Sequence, residues 1–269
     1  MRGDGKVTGC CLTVAGSDSG GNAGIQADLR VFGDYGLHGC TAITALTAQN
    51  PFGVYAVHGL PAEFVAAELD AVLGAYSVAA LKTGMMAGPD SIAAVAERLA
   101  ARPEIAKVID PVMIATSGAR LVDGDSVEAV KRLLLPLATV ATPNIPEAEA
   151  LCSVAAGDGS PAWAAELARR MHGTYGCCAL VKGGHGDGEL AVDVLFDGKG
   201  ISEFSAPRIA NPVSTHGTGC SLSAALAAEL ALGAGLAGAV AGAKKYVFDA
   251  ISRSYYVGDG CGVLASRRS

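Results

Sequence analysis

Five consecutive residues, His216-Gly217-Thr218-Gly219-Cys220, carry the densest chemistry in this 269-residue chain, because an alanine-rich helical run follows them at once. The two glycines let the backbone turn sharply and leave room for a ligand to approach it closely. A helix starting there points free N–H groups and the positive end of its dipole back at the turn, which makes a seat for a phosphate or a developing anion. A cysteine in the first turn feels the same field, so the expectation is a lowered thiol pKa and a candidate base. A plain glycine turn ahead of a packed helix would also fit these five residues. What decides between the two is the chemistry that the rest of the chain brings to them.

The elements that must position this turn are legible as alternating strands and helices. Short apolar runs at Cys11–Ala15, Thr41–Leu46, Val78–Lys82, Lys107–Asp110, Thr139–Thr142, Cys178–Lys182 and Ala191–Phe196 read as strands. Between them lie helical patterns near Ala23–Tyr35, Pro61–Leu73, Pro89–Ala101, Gly124–Leu134, Pro161–His172 and Gly219–Ala231, and a last one over Leu236–Ser252. Repeated β–α alternation predicts an α/β fold whose mostly parallel central sheet is flanked by helices on both faces. With no repeat and no linker-like stretch, residues 1–269 are expected to form a single domain with its core at about 11–252. Val54–His58 is expected to pair with Thr41–Leu46 as a hairpin or edge strands covering a site, and Gly157–Pro161 to be a surface loop.

In such sheets ligands bind beyond the carboxyl ends of the strands. Those ends carry Gly16-Ser17-Asp18-Ser19-Gly20-Gly21-Asn22, Thr47-Ala48-Gln49-Asn50, Lys82-Thr83-Gly84-Met85, Asp110-Pro111-Val112-Met113, Thr142-Pro143-Asn144 and Lys182-Gly183-Gly184-His185. Polar residues and glycines therefore gather where a site belongs.

Composition narrows the partners. A net charge of −6 without any Lys/Arg run argues against nucleic acid. No apolar stretch reaches the roughly 18 residues that span a bilayer. The N-terminal MRGDGKVTGCCLTVAG has no apolar leader segment, and its Val7-Thr8-Gly9-Cys10 matches a lipoprotein box only by chance. Hydrophobic residues make up 51% of the chain, and the mean hydropathy is +0.37, which fits dense burial. The eight cysteines form no metal-type pairs, so free thiols in a reducing cytoplasm are expected rather than zinc or disulfides.

The motifs AGSDSGGNAGIQADL, TALTAQN, DPVM, TPNIPEAE, VKGGH and THGTGCSLSAALAA follow one another between about Cys11 and Ser252. In order and spacing they resemble the hydroxymethylpyrimidine and hydroxymethylpyrimidine-phosphate kinases of the ribokinase-like superfamily. The resemblance implies a three-layer ribokinase-like fold and ATP- and Mg²⁺-dependent phosphorylation of the pyrimidine alcohol, then of its monophosphate, in thiamine biosynthesis. It places the pyrimidine against Gly16, Asp18, Asp28, Gln49, Met85 and Val112. It places the nucleotide near Asn144, Lys182, Thr218 and Lys244, and Mg²⁺ near Asp110 and Glu147, with possible homodimerisation. An amide suits the role of Gln49, since it offers one donor and one acceptor to an aminopyrimidine edge. Carboxylates suit Mg²⁺ as hard oxygen donors, directly or through water. Other readings of single residues stay open: Gln49 as a loop amide, Met85 as core, Glu147 as a first-turn helix acid, Lys244 as a solvated lysine, Cys220 as inert.

Phosphoryl transfer needs in-line positioning and charge compensation on the equatorial oxygens. The backbone N–H groups of Gly217, Thr218, Gly219 and Cys220 are expected to supply it, with Cys220 taking the proton of the attacking alcohol. The chain departs from the family at Asn22, where glycine is frequent, at Thr116, where lysine is frequent, and over Asn211–Ser214. A pyridoxal or pyridoxine kinase is the enzymatic alternative, since vitamin B6 also carries a hydroxymethyl group on a nitrogen heteroaromatic ring. A sugar kinase fits less well, because aspartate is absent at position 220. A pyrimidine sensor without turnover would have no need of Asp110, Glu147, Lys182 and Cys220.

Overall fold

The computed structural model describes residues 9–113, 123–184 and 188–267. Thr116 and His185 lie outside the described residues. A nine-stranded sheet runs through the molecule in the order β3-β2-β1-β4-β5-β6-β7-β8-β9. Its strands are β1 (Cys10–Asp18), β2 (His38–Asn50), β3 (Gly53–Gly59), β4 (Val78–Thr83), β5 (Ala106–Ile109), β6 (Val140–Ala141), β7 (Cys178–Lys182), β8 (Leu190–Phe196) and β9 (Ile201–Pro207). The six strands β2, β1, β4, β5, β6 and β7 are mutually parallel. The outer strands β3, β8 and β9 pair antiparallel.

Helices cover both faces, and the alternation of side chains along each strand divides the apolar residues between them. Cys11, Val108, Val140 and Leu180 face one core. It is closed by α1 (Gly24–Asp34), α7 (Thr218–Ala231) and α8 (Leu236–Ser252). Leu12, Ile109, Ala141 and Val181 face the other. That one lies under α2 (Ala62–Ala75), α3 (Pro89–Ala100), α4 (Gly124–Ala129), α5 (Ile145–Cys152) and α6 (Pro161–Tyr175). Central strands buried on both faces explain the continuous apolar runs in the sequence. A small hairpin, β10 (Tyr255–Val257) with β11 (Cys261–Val263), follows α8.

The expected layered α/β architecture is the one observed, with four local differences. The helix expected over Gly124–Leu134 is α-helical only to Ala129, widens into a π-helical stretch over Val130–Leu134 and tightens into a 3₁₀ turn at Leu135–Leu137. Pro136 lies in that last turn and has no N–H to continue the α-helical ladder. Helix α5 and strand β9 were not among the expected segments, nor was the β10–β11 hairpin. The α5 start is nevertheless written in the sequence, as a capping box in which the Asn144 side chain and the Glu147 backbone and side chain bond reciprocally. Strand β9 is an edge strand with mostly exposed side chains, so its apolar signal is weak. All eight cysteines are free thiols. Cys10 and Cys40 approach to 3.5 Å between sulfurs, and burial together with Cys40 pushes the Cys10 thiol up to about 12, which keeps it protonated.

Candidate active site

At the end of β1 the chain turns under the control of Asp18. Its carboxylate accepts from the backbone amides of Gly20 at 2.8 Å, Asn22 at 2.9 Å and Ala23 at 2.8 Å. Burial pushes the Asp18 carboxyl up, but the nearby His216 ring and the bonds from those three amides outweigh it and hold the group below its ordinary range. Asn22, the departure from glycine, keeps a negative φ and so carries no backbone strain. Asn211, in the third departure, has φ +51, which asparagine tolerates.

The 16–24 turn packs directly against the turn that opens α7. Gly217 has φ +85, and a Cβ there would fall inside the carbonyl oxygen of Asn22. Only glycine allows this approach. Gly16 faces the Met85 side chain, since a Cβ at Gly16 would meet Met85 Sδ at 3.4 Å. Gln49, at the end of β2, reaches the same junction: its Nε2 lies 3.4 Å from His216 Nε2. His216 Nε2 in turn lies 3.9 Å from Asp18 Oδ2. Val112 is half-buried on the strand-end turn after β5, where its amide donates to the Asp110 carbonyl.

On the other side of the α7 N-terminus, Lys182 Nζ approaches Gly219, whose Cβ would lie 3.7 Å away. Lys182 pairs with Asp110 Oδ1 at 3.0 Å. Burial would lower the Lys182 pKa, but the charges of Asp110 and Glu147 outweigh it and hold the ammonium protonated. Thr142 Oγ1 donates to Asp110 Oδ1 at 3.1 Å and Ser223 Oγ to Oδ2 at 3.0 Å. The Glu147 carboxylate accepts from the amides of Asn144 and Met113. Burial pushes Glu147 up, Lys182 opposes and Asp110 adds to the rise, so the carboxyl ends above its ordinary value. Two buried acids against one lysine leave this corner short of positive charge, and hard oxygen donors suit a divalent cation. Among the described residues no cluster of three or more His, Cys, Asp or Glu side chains is gathered to hold an ion. The pair therefore fits a cation that brings water or phosphate oxygens as its remaining ligands.

Three expectations are corrected in their physical detail. The Cys220 thiol is not lowered. Burial pushes it up, and the charges of Asp28 and Asp110 add to that, while Lys82 and the Gly24 amide only partly oppose. Desolvation of a thiolate outweighs the helix field here. Asp28 is wholly buried beneath the site rather than open to a ligand. Lys82 Nζ lies 2.9 Å from both its oxygens, and Thr13 Oγ1 donates to Oδ2 at 2.6 Å. Lys244 Nζ bonds Asp193 Oδ2 at 2.7 Å, and Asp193 Oδ1 accepts from the Gly183 amide at 3.0 Å. Lys244 thus braces the turn after Lys182. The sequence reading gave no role to Lys82, Thr142, Asp193 or Ser223, and named His216 only as part of its motif. Ser223 could have been found, since it lies one helical turn beyond Gly219 and Cys220 and faces the same way.

The family model for phosphomethylpyrimidine kinase matches residues 18–265. The chain belongs to that family. Within it, the hydroxymethylpyrimidine/phosphomethylpyrimidine kinase of Haemophilus influenzae is 45% identical over 256 residues, covering 93% of this chain and 94% of the relative. The thiamine biosynthesis bifunctional protein ThiED of Geobacter sulfurreducens is 46% identical over 254 residues, and this chain spans 51% of its length. Among solved structures, the ADP complex of Bacillus subtilis pyridoxal kinase superimposes with a TM-score of 0.88 at 34% identity, covering 96% of this chain and 97% of that one. The fold of this family member is the ribokinase-like one that its motifs imply.

Proposed function

We infer that this family member phosphorylates 4-amino-5-hydroxymethyl-2-methylpyrimidine with ATP and then phosphorylates the monophosphate to the diphosphate, a role in thiamine biosynthesis. The observation that carries this reading is the α7 N-terminus, where Lys182 approaches Gly219 on one side and Asp18, Gln49 and His216 meet on the other. A phosphate donor and a small heterocycle can then meet across one turn of backbone N–H groups.

In the first step the hydroxymethyl oxygen attacks the terminal phosphorus of ATP, the bond to ADP breaks, and the proton passes to the thiolate form of Cys220, which becomes the thiol. Lys182 and the amides of Gly217, Thr218, Gly219 and Cys220 compensate the transferring oxygens. Asn144 and Thr218 border the nucleotide, and Lys244 supports it through Asp193. Gly16, Met85 and Val112 line the pyrimidine pocket, Asp18 shapes its turn, and Asp28 supports it from beneath. Asp110 and Glu147 would hold Mg²⁺, which when bound neutralises phosphate charge. In the second step the attacking phosphate oxygen is already ionised, so the demand on Cys220 falls.

The continuous sheet supports one kinase domain over residues 1–269, and the free thiols fit a reducing cytoplasm. Tyr55 and Val57 expose apolar side chains on one face of β3, which a second copy would cover in a homodimer. Sedimentation at graded concentrations tests that assembly. The close superposition on a pyridoxal kinase keeps vitamin B6 as the second substrate reading. Mass-resolved turnover of the purified protein with ATP and Mg²⁺, offered the pyrimidine alcohol and pyridoxine in parallel, decides between them. Successive pyrimidine mono- and diphosphates are expected, and pyridoxine phosphate alone would overturn the assignment. Tight pyrimidine binding with no product from either would point to a sensor.

A further inference from the structure

His216 touches both halves of the site, yet neither the chemistry above nor the family motifs give its ring a task. Its backbone amide donates to Ser214 Oγ at 3.2 Å, and the next residue, Gly217, is seated on the Asn22 carbonyl. The backbone that carries the ring is therefore fixed against the 16–24 turn. Its Nε2 lies 3.4 Å from Gln49 Nε2 and 3.9 Å from Asp18 Oδ2. One ring nitrogen cannot accept from Gln49 and donate to Asp18 together. At 3.9 Å Nε2 is beyond hydrogen-bond reach of Asp18, whose carboxylate accepts from three backbone amides, whereas Gln49 Nε2 is within reach.

At its other end Gln49 Oε1 lies 3.3 Å from Thr47 Oγ1, whose one proton has a closer acceptor in the Ser17 carbonyl at 3.0 Å. A side-chain amide can rotate by half a turn and exchange its oxygen and nitrogen, which reverses its donor–acceptor order. An acceptor beside Nε2 favours the orientation that turns the amide N–H toward it, so the His216 ring rather than Thr47 sets the order. Resting on the pyrimidine-kinase reading, we propose that His216 is a positioning residue that sets substrate specificity, by locking the Gln49 amide in the order that matches an aminopyrimidine. The locked amide keeps one N–H and one oxygen lone pair free. A 4-aminopyrimidine offers the complement on neighbouring atoms, a ring nitrogen and an amino N–H. Pyridoxine carries no amino group and gains less from the lock.

A double-mutant cycle tests this. His216→Phe keeps a ring and removes both nitrogens, whereas His216→Gln restores an acceptor near Nε2. KM and kcat for the pyrimidine alcohol and for pyridoxine, and KM for ATP, are measured in wild type, both variants, Gln49→Ala and the His216→Phe/Gln49→Ala pair. In His216→Phe the pyrimidine KM should rise about five- to tenfold, the ratio that one hydrogen bond corresponds to. Its kcat and its ATP KM should stay within roughly twofold, as for a loss of uniform binding. His216→Gln should recover most of the loss, and His216→Phe should add nothing once Gln49 is alanine. A wild-type pyrimidine KM in His216→Phe, or two effects that multiply in the pair, would overturn the role of His216 while leaving the kinase reading intact. A wild-type protein that does not turn over the pyrimidine would remove both.

Discussion

Lys82 Nζ lies 2.9 Å from each carboxylate oxygen of Asp28, and neither side chain has any exposure. The pair lies in the layer beneath Cys220, where Asp28 also receives the Thr13 hydroxyl. Burial alone would lower the Lys82 pKa, but the charges of Asp28, Cys220 and Asp110 outweigh it and raise the lysine instead. Removing one partner leaves an uncompensated buried charge, which costs about 3–5 kcal/mol. Lys82→Met should therefore lower the unfolding free energy from denaturant titration by that amount, and Lys82→Met with Asp28→Leu should recover much of it. Equal losses in the single and double variants would show that the pair is not coupled.

Cys220→Ala should slow phosphorylation of the alcohol by about 10²- to 10⁴-fold, the range supplied by a positioned base. Pyrimidine affinity should hold, and the monophosphate should be affected less because its attacking oxygen needs no base. The sign of the pH dependence follows from the raised thiol. A raised pKa leaves the thiolate scarce at neutrality, so the first-step rate should climb as pH rises into the alkaline range. Lys82 is the charge that opposes the rise, so Lys82→Met should move that limb to higher pH. Wild-type rates in Cys220→Ala, or identical pH profiles for the two steps, would remove Cys220 as the base.

Much of this layout was readable in the chain because parallel strands buried on both faces leave unbroken apolar runs, and their carboxyl ends must then hold the polar loops. Gln49, Asp110, Lys182 and Cys220 all stood at such ends or at the α7 start. The partners of charged residues were not readable, because pairing across the fold leaves no local pattern. Lys82 and Asp28 are 54 positions apart, and Lys244 and Asp193 are 51 apart, so the sequence shows four ionisable residues and not two closed pairs. The shift of Cys220 was misjudged for a related reason. The helix dipole is a local feature, whereas desolvation depends on everything packed around the sulfur.

Asp18 links the site to acid stability. Its folded carboxyl is held below the ordinary aspartate value of 3.8, so the folded state binds its proton less readily than the unfolded chain does. That contribution is complete above the unfolded pKa and is lost as pH falls through the folded one. Asp18→Asn should therefore be less stable than wild type near neutrality, and the gap should narrow below about pH 4 as the wild-type carboxyl takes up its proton. Paired denaturant titrations across that range measure the gap. A gap of constant size would mean that the bonds to Gly20, Asn22 and Ala23 do not depend on the charge.

Gly217→Ala separates backbone strain from the contact between the two turns. Gly217 has φ +85 and its Cβ would overlap the Asn22 carbonyl oxygen, whereas Gly233 has φ +87 with nothing near its Cβ position. Both alanines carry the cost of a left-handed residue, about 1–2 kcal/mol. Only the alanine at 217 must also push the 16–24 turn away from the α7 start. Displacement of about 1 Å between reacting groups costs roughly 10²-fold in rate. Gly217→Ala should therefore lose about that much kcat, with a rise in pyrimidine KM as Asp18 and Gln49 move together. Gly233→Ala should lose only the stability that the left-handed backbone costs and keep its turnover. Full activity in Gly217→Ala would mean that the two turns can part without cost to the chemistry, and equal losses in both variants would assign the effect to backbone strain alone.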